Sequence, residues 1–435
     1  MHKKVVLFIL LGCAVAIWLI AAWMKANSVA VVDVAVSKTE QDEWFVAYHF
    51  EEVVERVYFV RNPDSSRLQR WDPLESGYYL AVDSESGDEY VARTDGAGFN
   101  SVAFRLDPTY IALRKDYAPF STFSDGGVSW FTGRFKVCPT SCSSALAYSY
   151  NFSMQAPLRE HIRLPEQSER GELNWRESAS DGQVVYVGPQ ALDTSRQDGF
   201  ETIIDPILPR SLQQRLRQDV PPLTAYFNQR MPPLSERPML LASFSPTTDG
   251  RFGYQGGVVG NQMLLHWYGH SMAERVTAPY FVEDTLWFIA HEFAHLYQAG
   301  QFSNEQAWIH EGAAEFMALS YLRSIRTNSI YLNHRLQGAQ AKCNTSQDSF
   351  EVHYACGLLW AADIDAQIQA TYPHGLFFLW YMYVQALADD PYADATQLYF
   401  ELLAQLTSET FAQQMRTRVA LRYEQLPQQA QVPAP

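Results

Sequence analysis

The chain has 435 residues, too many for one ordinary hydrophobic core, so two or three domains are expected. Hydrophobic residues make up 47% and charged residues 19%, which is a globular composition and argues against a disordered chain. A formal net charge of −15 argues against a nucleic-acid partner, because phosphate binding needs a basic face; the acidity reads most simply as solubility.

The N-terminus, "MHKKVVLFILLGCAVAIWLIAAWMK", pairs a basic start with an uninterrupted apolar run from Val5 to Met24. Such a run is long enough to cross a bilayer as a helix. Lys3 and Lys4 precede it and only Lys25 follows closely. This predicts a membrane anchor over residues 1–27, with the bulk of the chain outside the cytoplasm, in a bacterial periplasm. Secretion after signal cleavage is the alternative. "LLGC", ending at Cys13, resembles a lipoprotein cleavage box, but more apolar sequence follows it rather than a polar tether.

Residues 28–158 read as an antiparallel β-sandwich. "WFVAYHF", "VERVYFVR", "GYYLAV", "EYVAR" and "SVAFRL" are short, rich in β-branched and aromatic residues, and separated by turn residues. The stretch 159–182 is polar, with almost no apolar periodicity, and is expected as a connection. From 183 to 425 a second domain is expected. "VVYVG", "FETIIDPILP", "RPMLLASFS" and "YQGGVVGNQMLLHWYG" each read as a strand, and "RSLQQRLRQDVPPLTAYFNQR" as a helix broken at Pro221–Pro222. Helices dominate after Pro279, an order typical of an α+β domain. The tail 426–435 is expected to be disordered. Four cysteines lie outside the apolar N-terminus, in two local sets, Cys138 with Cys142 and Cys343 with Cys356. An even count outside the cytoplasm reads as two disulfides. A zinc site built from all four thiolates is the rival reading, and neither set has C-x-x-C spacing.

The chemistry concentrates near "WFIAHEFAHLYQ", residues 287–298. His291 and His295 are four residues apart and share a helix face, so both imidazoles can reach one ion. Glu292 stands next to the first and can serve as general base to a metal-activated water. Taken alone, the stretch is also compatible with a core helix that carries two histidines. A second helical segment, "EQAWIHEGAAEFMALSYLR", places Glu311 sixteen residues after His295. Small residues at Gly312, Ala313 and Ala314 allow this helix to pack close to the first and offer Glu311 as third ligand. Glu315, one turn on, can accept a hydrogen bond from a ligand histidine.

Together, "HEFAH" (291–295) and "WIHEG" (308–312) resemble the gluzincin metallopeptidases, and within them the group of the aminopeptidase N and glycyl aminopeptidase families. The resemblance implies a thermolysin-like α+β catalytic domain behind the sandwich. It implies Zn2+ held by His291, His295 and Glu311, with Glu292 as base, and a peptide or protein substrate. "TYPHG" (371–375) is similar to a segment of the aminopeptidase N family whose tyrosine stabilises the tetrahedral intermediate. That implies Tyr372 as oxyanion donor, with Tyr354 in reserve. His374 stands where that family has lysine. "QGGVVGNQM" (255–263) occupies the place of the family's substrate-binding edge strand. Gly256 and Gly257 there could let a peptide backbone pair with the strand. The family's amine-binding glutamate is absent, which leaves exopeptidase and endopeptidase action both open. The alternative function is a membrane-anchored binding or assembly protein on a peptidase scaffold with a non-catalytic zinc. Hydrolysis of a non-peptide acyl group is a third possibility.

Overall fold

The computed structural model describes residues 30–427 except 63, 112, 114–115, 140–141, 143–147, 179–181, 192–199, 247–251, 270–271, 300–301 and 303–305. The expected anchor over residues 1–27 and all but the start of the expected tail lie outside the described residues. Among the described residues no helix is long and apolar enough to cross a membrane.

Alternation of apolar and polar side chains builds the N-terminal unit. In Ala30–Lys38 and Trp44–Val54 every second residue is buried along the paired stretch, as a strand with one face on a core requires. Three sheets result. The first runs, in spatial order, Glu172–Glu177, Tyr148–Gln155, Ala30–Lys38, Trp44–Val54, Phe99–Leu106 and Trp71–Pro73. The second is Val137–Cys138, Arg56–Phe59, Glu89–Arg93 and Tyr78–Val82. The third is Gln167–Glu169, His161–Leu164, Val184–Gly188, Val128–Phe131 and Phe120–Thr122. One aromatic core, with Tyr48, Phe59, Phe104, Trp130 and Phe152, joins all three. The pairing is antiparallel except where Ala30–Lys38 lies parallel to Tyr148–Gln155.

Two boundaries differ from expectation. The stretch 159–182 is not a bare connection: it holds the strands His161–Leu164, Gln167–Glu169 and Glu172–Glu177. The last two expose most of their residues, so Ile162, Leu164 and Leu173 leave too thin an apolar pattern to read. "VVYVG" is a strand, Val184–Gly188, but it belongs to the third sheet of the N-terminal unit rather than opening the second domain.

The second unit begins with Glu201–Ile204, the first strand of a four-stranded sheet. Its order is Glu201–Ile204, Met239–Ser245, Gln262–Tyr268, Gly253–Val259. The first three are parallel, and the last is an antiparallel edge strand. "YQGGVVGNQMLLHWYG" is therefore a hairpin rather than one strand. It turns at Gly260-Asn261, where Gly260 takes φ +53°, the left-handed conformation that a tight hairpin loop demands. Helix Arg210–Asn228 runs unbroken through Pro221 and Pro222. The buried stripe Leu212, Leu216, Val220, Leu223 and Phe227 continues on both sides, and its packing offsets the hydrogen bonds that two prolines forgo.

The sheet is buried on both faces, and alternate residues serve different cores. Leu240, Ala242, Met263, Leu265 and Trp267 face the helical core. Ile203, Met239, Leu241 and Val259 pack with Phe123, Phe131, Val184 and Tyr186 of the N-terminal unit. Buried polar groups cross the same junction. The Gln262 amide accepts from Val184 N at 2.7 Å and donates to Val184 O at 2.6 Å, and Arg163 meets Glu201 at 3.3 Å. From Phe281 onward the described chain is helical apart from connecting turns.

Candidate metal centre and cleft

Phe281–His295 forms the histidine helix. Residues Thr285 to Ala294 are all buried, because the sheet covers one side and further helices the other. Trp308–Ser324, the glutamate helix, is also apolar nearly all round, as a helix buried among others must be. A third helix, Ser349–Gln369, crosses it and is capped by Asp348, whose side chain accepts from Phe350 N at 2.9 Å. The crossing point is glycine on glycine. A Cβ on Gly357 would lie 2.7 Å from Gly312 Cα, and 3.1 Å from Trp308 O. The small residue at Gly312 thus serves the contact with Ser349–Gln369 and not, as expected, an approach to the histidine helix. The crossing sets Glu311 beside Tyr354, one turn before Gly357.

His291, His295 and Glu311 come together. His291 Nε2 and His295 Nε2 are 3.2 Å apart, and Glu311 Oε2 lies 3.3 Å from the first and 3.5 Å from the second. A tetrahedral zinc with bonds of about 2.0–2.1 Å places its ligand atoms roughly 3.3 Å apart, so the triangle has the edge lengths of a zinc site. The outer nitrogens explain why these three atoms need a cation. His291 Nδ1 stands 3.0 Å from Glu315 Oε1, somewhat off the ideal line of a hydrogen bond. His295 Nδ1 stands 2.6 Å from Gln298 Oε1. With protons held on both Nδ1 atoms, each Nε2 presents a lone pair, and both face a carboxylate oxygen that has no hydrogen-bond partner of its own. Three acceptors converging without a donor fit a metal ion.

Partners behind the triad hold it in place. Glu315 accepts from Trp287 Nε1 at 3.0 Å and pairs with Arg335 at 3.3 Å, and the Arg335 guanidinium lies 4.4 Å from the Trp287 ring centre. Gln298 in turn donates to the His310 carbonyl at 3.1 Å. Glu292 is buried beside the triad. Burial, with help from Glu311 and Glu315, raises its carboxyl, a shift that suits a proton acceptor.

Gly256 of the edge strand sits directly over Glu292, in the space where any Cβ would strike the carboxylate. Tyr254, two residues earlier on the same face, packs on Phe288 with ring centres 4.6 Å apart. Gly257 points to the opposite face, where a Cβ would meet the Tyr117 ring at 2.6 Å; its bareness admits the N-terminal unit. Tyr354 stacks on His291 at 5.6 Å, with its phenol beside Glu311. Burial and the neighbouring Glu311 and Glu292 carboxylates keep that phenol protonated. Tyr372 does not join these groups: it follows the far end of the Ser349–Gln369 helix, its N–H bonded to Ile368 O at 2.9 Å, about 20 Å along the axis from Tyr354, and stacks on Phe378, so the expected oxyanion role does not fall to it. Cys138 is joined to Cys142 and Cys343 to Cys356, with Cα separations of 5.3 and 4.7 Å. The second bond ties Ser329–Thr345 to the helix that bears Tyr354. Sequence reasoning missed Gln298, Arg335, Trp287 and Gly357. Gln298 was findable three residues after His295, and Gly357 as a lone glycine in an apolar helix; Arg335 carries no local signal.

A histidine helix and a glutamate helix thus lie beneath the antiparallel edge of a mixed sheet, behind a β-rich unit. The chain matches no protein-family model and no curated protein sequence. Among solved structures it is similar to an M1 zinc metallopeptidase from Deinococcus radiodurans (TM-score 0.52, 13% identity, 93% of this chain and 95% of that one). It is also similar to native leukotriene A4 hydrolase from Saccharomyces cerevisiae (TM-score 0.53, 12% identity, 94% of this chain and 69% of that one). A mutant of the Deinococcus peptidase bound to a Tyr-Ser-Ala substrate matches with TM-score 0.52 and 12% identity over 92% of this chain and 94% of that one. At such identities the likeness is one of fold.

Proposed function

We propose that the protein is a zinc-dependent peptidase whose reacting bond lies between the His291–His295–Glu311 triad and the edge strand at Gly256. The carrying observation is the convergence of three lone-pair donors at zinc spacing next to a buried Glu292 that lies against the bare backbone of Gly256. Bound zinc supplies Lewis acidity that makes a water nucleophilic near neutral pH. Glu292 takes the proton from the attacking water and returns it to the departing amine. Tyr354, the reserve candidate, stacks on His291 beside Glu311 and donates to the oxygen that gains charge. A substrate-bound neighbour of the same fold supports a peptide as the ligand class.

The test joins metal analysis to peptide hydrolysis. One zinc per chain and chelator-sensitive cleavage are expected, and Glu292→Gln should keep the zinc while losing about 10²–10⁴-fold in rate. A zinc-loaded protein with no turnover across a broad peptide library would instead favour a binding or assembly protein on this scaffold. We also propose export, with the N-terminal segment as anchor; the two disulfides support an oxidising compartment. Cell fractionation checks it: recovery of the protein in the cytosol with free thiols would contradict export.

A further inference from the structure

The edge strand Gly253–Val259 is bonded on one side only, to Gln262–Tyr268. Its hairpin loop has two residues, so Val259 and Gln262 form the hydrogen-bonded pair that closes it. Bonding alternates from there. Gly257 and Gln255 turn their N–H and C=O inward, while Val258, Gly256 and Tyr254 turn theirs to the open edge. Gly256 lies against Glu292, so a peptide pairing with this edge brings its backbone to the base.

Two residues on, about 7 Å at the rise of a strand, the edge is closed. Tyr117 of the N-terminal unit donates its hydroxyl to Val258 O at 2.6 Å. Its ring fills the space left by Gly257 and packs on Phe131 at 4.9 Å. Tyr110 braces the same face: it donates to Gln255 Oε1 at 2.8 Å and stacks on His266 at 3.7 Å. Gln255 in turn donates to Leu113 O. No hydrogen bond closes the strand in this way at Tyr254 among the described residues.

We propose that Tyr117 is a specificity-determining residue. By occupying the Val258 carbonyl it ends the strand pairing available to a bound peptide about two residues from the reacting bond on that side, and leaves the Tyr254 side open. The favoured ligand is then a peptide that terminates, or turns away, within that distance on one side. This rests on the reading of the cleft as a peptide site. The phenol touches neither the triad nor Glu292, so its part is to limit extension.

The experiment uses the full-length, zinc-loaded protein carrying Glu292→Gln, which binds without turnover. A ladder of peptides, lengthened one residue at a time from each end around a common centre, is titrated by calorimetry. Zinc content confirms that each variant is folded. Affinity should rise over several added residues in one direction and stop rising after about two in the other. Adding Tyr117→Phe, which keeps the ring and removes the donor, should abolish the stop and give at least a 3-fold gain for the next residue. Equal gains in both directions, or a stop that persists in Tyr117→Phe, overturns the proposal. Failure of every ladder member to bind sinks the peptidase reading together with this one, and is distinct from either pattern.

Discussion

The pairing of Gly256 with Glu292 is the tightest constraint in the cleft, because the base occupies the volume of a missing methyl group. Gly256→Ala should therefore displace the carboxylate and cut the rate of hydrolysis by about 10²-fold, the scale of an ångström's misplacement, with zinc content unchanged. A variant of normal rate would show that the strand yields there. Behind the triad, Glu315 anchors His291 and is itself held by two further partners, Trp287 and Arg335, so Glu315→Gln should weaken zinc about 10–100-fold in competition with a chelator. At this scale the sequence was informative. The pairs His291 with His295 and Glu311 with Glu315 follow from helical spacing, since residues four apart on one helix share a face, and Glu292 follows from its place beside the first histidine. Gly257 was placed on the right strand but on the face away from the cleft, because alternation along a strand shows only once the register is known. Arg335 could not be found, since the fold alone brings it to Glu315.

Among elements, the crossing of Trp308–Ser324 with Ser349–Gln369 decides how Glu311 and Tyr354 meet. Backbone faces backbone there, so neither helix can give way to a side chain. Gly357→Ala should cost about 1–3 kcal/mol in stability, read from the shift in urea midpoint, and loosen zinc as Glu311 moves. A stability change of a few tenths of a kcal/mol would show that the helices slide apart freely. Helices were the easier elements to read, since their apolar content is high and long. The exception, the unbroken helix through Pro221–Pro222, shows tertiary packing overriding a local breaker. The edge strands Gln167–Glu169 and Glu172–Glu177 escaped because few of their residues are buried.

For the whole molecule, the junction between the two units carries a titratable group. His266, buried beside Ser243 and Tyr110, has its imidazole pushed down to about 3 by burial. The folded protein keeps it neutral where the unfolded chain, near 6.5, takes up a proton. Its contribution is fully present above pH 6.5 and is lost as pH falls toward 3, at about 1.4 kcal/mol per pH unit in that window. Urea midpoints at pH 7.5 and pH 5 should thus differ less in His266→Gln than in the parent; equal differences would place the acid sensitivity elsewhere. Sequence reasoning recognised two units but not how tightly they join, because Ile203, Met239 and Leu241 read as buried without saying against what.

The Gln262 clasp on Val184 bears on how the chain is born. Strand Val184–Gly188 completes the N-terminal sheets before the first strand of the second unit, Glu201–Ile204, has been synthesised. During translation the earlier unit can fold as residues emerge, and it then presents a finished apolar wall and a waiting backbone edge to the sheet that follows. The metal-binding half is thus assembled against a template made in advance. A gene fragment encoding only residues 200–427 should yield insoluble protein, rescued when residues 30–199 are supplied in the same cell.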